Sequence, residues 1–158
     1  MNKILLKSLS FGLTSGIITT LGFIISFYFA TQSKILIIGG IITIAVADSF
    51  SDALGMHLSV ESENKYSTKE IWITTLITFA SKALFTLTFI VPFILFADDT
   101  ALIVCVLWAF LILILLSYIL AKKQNKNPLH IIFEHVLISV FVIFATYFIG
   151  MWINRTFI

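Results

Sequence analysis

Six side chains within the first 82 residues have the types and spacing to handle a cation. Asp48 and Asp52 are four apart, so a helix stacks their carboxylates one turn above the other. Met56 continues that row, His57 stands about 100° around from it, and Glu61 extends the drifting face. Carboxylate, imidazole and thioether donors together suit a mid-series divalent metal, Fe²⁺, Mn²⁺ or Zn²⁺, better than Mg²⁺ or Ca²⁺. A row of weak donors also suits an ion that must both enter and leave. Lys82 is the sixth, and its ammonium can answer a carboxylate. Each residue has a plainer use too. An Asp–Lys pair can be a buried bridge that fixes helix register. Met56 can be packing, and His57, Glu61 and Glu63 can be solvated interfacial groups. Two carboxylates against one ammonium leave one negative charge, or one proton, which at membrane depth marks a cation or proton site.

The elements that carry these residues follow from composition. Of the 158 residues, 59% are hydrophobic and 11% charged, and the mean hydropathy is +1.09. Soluble domains carry about 25% charge and need a polar exterior. Lipid must cover much of this chain, which excludes a soluble enzyme, a nucleic-acid-binding domain and a secreted disulfide scaffold. A net charge of +2 gives no nucleic-acid footprint. Cys105 is the only cysteine, so it has no internal disulfide partner, and it reads as a small buried residue.

A helix crossing a bilayer needs about 20 mostly apolar residues. Five runs qualify: residues 11–30, 35–60, 71–96, 101–121 and 131–153. They are continuous rather than alternating, which argues against a β-barrel. The first is too long for a signal peptide and is followed by four more. The expectation is an all-α, multi-pass integral membrane protein, a single transmembrane domain over residues 1–158, resident in the plasma membrane with the lipid bilayer around it. Lys3, Lys7, Lys65, Lys69, Lys122, Lys123 and Lys126 fall on one side. Lys34 and Arg155, with Asp98 and Asp99, fall on the other. This bias places the N-terminus in the cytoplasm and the C-terminus outside.

At a rise of 1.5 Å per residue, Asp48 and Asp52 lie about 18 Å and 12 Å from the Val60 end of span two. Lys82 lies about 17 Å into span three, level with Asp48. Gly12 and Gly16 form a GxxxG pair, and Ala47, Ser51, Gly55 and Ser59 form a small-residue stripe. Small residues let helices approach closely in lipid, so spans one and two are expected to pack tightly, within a subunit or across a homodimer. Pro92 is expected to kink span three. Trp72 and Trp152 fit interfacial anchors, and Trp108 should face lipid or a neighbouring helix.

Two segments resemble a known family. Residues 11–22, Phe-Gly-Leu-Thr-Ser-Gly-Ile-Ile-Thr-Thr-Leu-Gly, are similar to the first-span signature of vacuolar iron transporters. Residues 47–60, Ala-Asp-Ser-Phe-Ser-Asp-Ala-Leu-Gly-Met-His-Leu-Ser-Val, are similar to the second. The span number and orientation agree as well. The resemblance implies divalent metal export from the cytoplasm by a homodimer, against protons. There are departures. Ser15 stands where the family has an ion-path Asp. Asp52 stands at its metal-binding Met, Met56 at its Glu and His57 at its Tyr. The family's cytoplasmic metal-binding domain between spans two and three is reduced here to residues 61–70.

The expected function is therefore movement of a divalent metal, Fe²⁺ or Mn²⁺, out of the cytoplasm, with the metal as substrate, no cofactor and no enzymatic activity. Asp48 and Asp52 would be central ligands or proton acceptors. Met56 and His57 would pass the ion inward from a mouth at Glu61 and Glu63. Ser15 and Thr19 would add hydroxyl oxygens, and Lys82 with Asp48 would couple charge or protons. The rivals are a non-transporting scaffold or subunit with a structural Asp–Lys bridge, and a proton-driven carrier of a small organic cation. A membrane enzyme finds no nucleophile–base spacing and only three scattered histidines.

Overall fold

In a computed structural model of the chain, residues 3–157 are described, Lys3 by its backbone alone. The Lys3 side chain, counted in the charge bias above, lies outside the described residues. The elements are α1 (Lys3–Thr31), α2 (Lys34–Thr43), a π turn (Ile44–Asp48), α3 (Ser49–Glu61), α4 (Thr68–Thr88), α5 (Ile90–Leu95), α6 (Asp98–Lys123) and α7 (Pro128–Phe157). There is no strand among the described residues. The segment from α2 through the π turn to α3 is one span, Lys34–Glu61, and α4 with α5 is another, Thr68–Leu95. With α1, α6 and α7 this gives five helices long and apolar enough to cross a membrane, as expected. Most helix ends run past the apolar runs. Hydropathy stops at the first Lys or Asp, but backbone hydrogen bonding does not.

The ends are set by local chemistry. Ser67 caps α4, accepting from the Glu70 N–H, while Glu70 Oε2 accepts from the Ser67 N–H at 3.0 Å. This reciprocal pair satisfies orphan donors at the helix start. Gln32, Asn64 and Asn125 have φ of 49°, 51° and 54°. Asn tolerates this left-handed region better than most side chains, and such a residue commonly ends a helix. After Asn125 the Lys126 N–H reaches back to the Ala121 carbonyl at 3.0 Å, closing α6.

The central helix is α1, which packs along both α4 and α7 and meets α2 and α6. Its Gly12 and Gly16 face α4. A Cβ on Gly12 would stand 2.7 Å from the Thr78 carbonyl oxygen, and one on Gly16 3.3 Å from Thr86 Oγ1. The GxxxG contact therefore joins span one to span three, not to span two. The reason is that α4 brings its own backbone and short hydroxyl side chains against those glycines. The main core gathers Ile17, Leu21, Ile24, Ile41, Phe89 and Cys105. Large apolar side chains such as Leu107, Phe141 and Trp152 point outward. An apolar exterior of this kind suits lipid rather than water.

Span three breaks at Phe89, three residues before Pro92. Pro92 has no N–H to give the Thr88 carbonyl, so the helix cannot run through. The buried Cys105 thiol donates to the Phe89 carbonyl at 3.6 Å. Trp108 donates to Thr88 Oγ1 at 3.0 Å and stacks on Phe85, so it faces a neighbouring helix.

Candidate functional site

One row of α4 is polar and buried: Thr74, Thr78, Lys82 and Thr86, at every fourth residue. Two of the threonines are satisfied within the helix. Thr74 donates to the Ile71 carbonyl at 2.7 Å and Thr78 to the Thr74 carbonyl at 2.9 Å. The hydroxyls of Thr86 and Thr20 of α1 lie 3.2 Å apart. Lys82 stands at the midpoint of its span and is fully buried. Its ammonium pairs with Asp48 Oδ2, donates to Asp52 Oδ2 at 2.6 Å, and donates to Ser15 Oγ at 3.0 Å. Two of the ammonium's three N–H donors are used in these hydrogen bonds, while Asp48 Oδ2, buried and without a hydrogen-bond partner, meets it as an ion pair.

The carboxylates reach Lys82 because of the π turn. An α-helix drifts by about 40° for every four residues. Yet Ile37, Ile41, Ala45, Ser49 and Ala53 are all buried at strict four-residue spacing. The wider π turn at Ile44–Asp48 absorbs much of that drift. It lets α2 keep its apolar face on α1 while α3 turns Asp48 and Asp52 toward α4 and Ser15. Asp48 ends the π turn at the midpoint of span two, level with Lys82. Such turns occur often at functional positions.

The site is not sealed. The Asp48 side chain is 36% exposed and that of Asp52 21%, while Lys82 is at 0%. Asp48, Ser51, Asp52 and Gly55 share one helical face by their spacing. Ala47, Ser51, Gly55 and Ser59 are all exposed, and a Cβ built on Gly55 would meet nothing within 4 Å. The small-residue stripe expected to make a helix contact is thus uncovered within this protomer.

The remaining expected ligands lie elsewhere. Met56 is buried among Ile4, Val60 and Ile71. His57 turns to α4, with Nδ1 2.9 Å from Thr75 Oγ1 and its ring edge-on to Trp72. Glu61 is exposed at the end of α3, and Glu63 pairs with Lys7 at 3.3 Å. Thr19 is exposed and donates to the Ser15 carbonyl at 2.8 Å. At the opposite end, Asp98 pairs with Lys34 at 3.5 Å and Asp99 accepts from Tyr28. Of the sequence candidates, then, Asp48, Asp52, Ser15 and Lys82 come together, and Met56, His57 and Glu61 do not join them. Among the described residues, no three His, Cys, Asp or Glu side chains are grouped as a metal site would require. The threonine row of α4 was missed from sequence, although its four-residue period, with Lys82 inside it, was there to be read.

Two carboxylates and one ammonium leave a net charge of −1. The oxygens of Asp48, Asp52 and Ser15 surround a point now held by the ammonium. The arrangement can hold a second cation or a proton, or stay as a closed bridge. No protein-family model matches the chain, and no curated protein matches it.

Proposed function

We propose that the chain moves a divalent cation, Fe²⁺ or Mn²⁺, out of the cytoplasm in exchange for protons. The observation that carries this reading is the fully buried Lys82 shared by two partly exposed carboxylates at mid-span. An arriving divalent cation displaces the Lys82 ammonium electrostatically from the two carboxylates, and the ammonium returns to them when the cation leaves. Lys82 is an internal counter-cation that keeps the empty site tolerable in lipid. The resemblance of residues 11–22 and 47–60 to vacuolar iron transporters supports the same reading. The test is metal uptake into proteoliposomes holding the purified chain, with internal pH followed alongside. Uptake with matching proton movement is expected. No uptake above that of empty vesicles would overturn the proposal.

The plasma membrane and a cytoplasmic N-terminus belong to this reading, on the strength of the lysine bias. Cysteine labelling should find Ser62→Cys reachable only from the cytoplasm and Thr100→Cys only from outside. The reverse pattern would invert the transport direction.

A homodimer completes the proposal. A carboxylate exposed at mid-span cannot face acyl chains without large cost, and the stripe beside it is small enough for a second helix to approach closely. Gly55→Leu should weaken association by about tenfold, roughly 1.4 kcal/mol, with the protomer still folded. Gly12→Leu should instead disturb the protomer, because Thr78 and Ser81 fill the space. Crosslinking and light scattering in detergent give the readout, and a native chain that is monomeric by both would refute the dimer.

A second reading rests on the contacts of buried Lys82 with Asp48, Asp52 and Ser15. They favour a bridge that locks α1, α3 and α4, in a scaffold or subunit that transports nothing.

A further inference from the structure

At the end of the fold that holds the start of α1 and the turn between α6 and α7, a cleft of about 680 Å³ opens between these elements. That volume is in the range of small-molecule sites. Lys7, Lys123 and Lys126 border it, and Leu6 and Leu120 give it apolar walls. Ser10 lines it as well. Ser10 is 8% exposed, and its hydroxyl has no hydrogen-bond partner. By contrast, nearby Ser8 donates to the Ile4 carbonyl at 3.1 Å. Buried hydroxyls are rarely left unpaired, and each such group calls for an explanation.

The positive charge here is positioned and mostly uncompensated. The closed turn at Asn125 fixes the backbone between Lys123 and Lys126. Lys7 is shared with Glu63 at 3.3 Å, but among the described residues neither Lys123 nor Lys126 meets a carboxylate. Lys122 is turned away, over the Tyr118 ring. A cleft with cationic rims, one free hydroxyl donor and apolar walls, placed where two spans end, matches the headgroup level of a bilayer. Basic pockets between spans bind anionic lipid headgroups in this way.

We infer that this cleft binds the phosphate headgroup of an anionic phospholipid. Lys7, Lys123 and Lys126 take the phosphate oxygens, the Ser10 hydroxyl donates to one of them, and the first acyl carbons lie on Leu6 and Leu120. The cleft shares no residue with the Asp48–Asp52–Lys82 site, so it stands independently of transport.

Native mass spectrometry of the full chain in mild detergent, titrated with phosphatidylglycerol or phosphatidylcholine of matched acyl chains, tests this. Phosphatidylglycerol should bind the tighter. Lys123→Gln and Lys126→Gln should each weaken it by about fivefold, and Ser10→Ala should also weaken it. Phosphatidylcholine binding should not change. A Lys65→Gln, Lys69→Gln variant, which removes the same charge from the α3–α4 turn, should behave as wild type. Melting temperatures measured beside each titration confirm that the variants are folded. Equal affinity for the two lipids would overturn the inference. So would an equal loss in the Lys65, Lys69 variant, which would make the effect one of general charge. Displacement of the lipid by soluble glycerol phosphate at equal concentration would reassign the cleft to a free phosphate compound.

Discussion

Asp52→Asn is expected to abolish divalent-cation flux while the protein stays folded. The side chain keeps its shape, and its amide oxygen can still accept from Lys82, now 2.6 Å from Asp52 Oδ2. Asp48 remains to balance the ammonium, so the site falls from a net charge of −1 to zero. A neutral site has nothing with which to attract a cation into lipid. Stability should change by about 1 kcal/mol or less, because a hydrogen bond is weakened rather than lost. Vesicle flux assays with melting curves on the same preparations check both halves. Unchanged flux would sink the ion-site reading and leave the structural bridge as the better account.

Lys82→Met is expected to have the largest effect on stability. Met fills much of the same space but leaves two carboxylates without their cation. Removing one partner from a buried ion pair typically costs about 3–5 kcal/mol, and here Lys82 is wholly buried with two carboxylates on it. Adding Asp48→Asn to Lys82→Met should recover part of that loss, since one of the orphaned charges is gone. Denaturation in detergent of the single and double variants measures the coupling. A Lys82→Met protein as stable as wild type would show that the bridge contributes little, under either functional reading.

The spans were legible because hydropathy over about 20 residues depends on composition alone. Asp48 and Lys82 were legible as a pair because depth follows from counting residues along two antiparallel helices. Counting along an ideal helix could not reveal the π turn, which depends on how Ile37 and Ile41 pack on α1. The row from Asp48 through Asp52 does not hold to Met56 for a simpler reason, the drift of about 40° for every four residues within regular α3. In the fold, Met56 drifts into the apolar cluster with Val60 and Ile71, and His57 swings to Thr75. The GxxxG pair shows a different limit. Gly12 and Gly16 announce a close contact but carry no information about the partner. Only the threonines of α4, with the same four-residue period, indicate that it is span three.

The shared lysine also bears on how such a chain enters a membrane at all. Span two is synthesised before span three, and without it would present two carboxylates to the bilayer interior, each costing about 2.5–3.5 kcal/mol to insert at the centre. Span three follows after a link of residues 62–67 and brings an ammonium to the same depth. The favourable cargo for the insertion machinery is then the helical hairpin, released with its charges already joined. The order of synthesis gives Asp48 and Asp52 their escort: the next helix to emerge from the ribosome carries the counter-ion that makes them admissible to lipid.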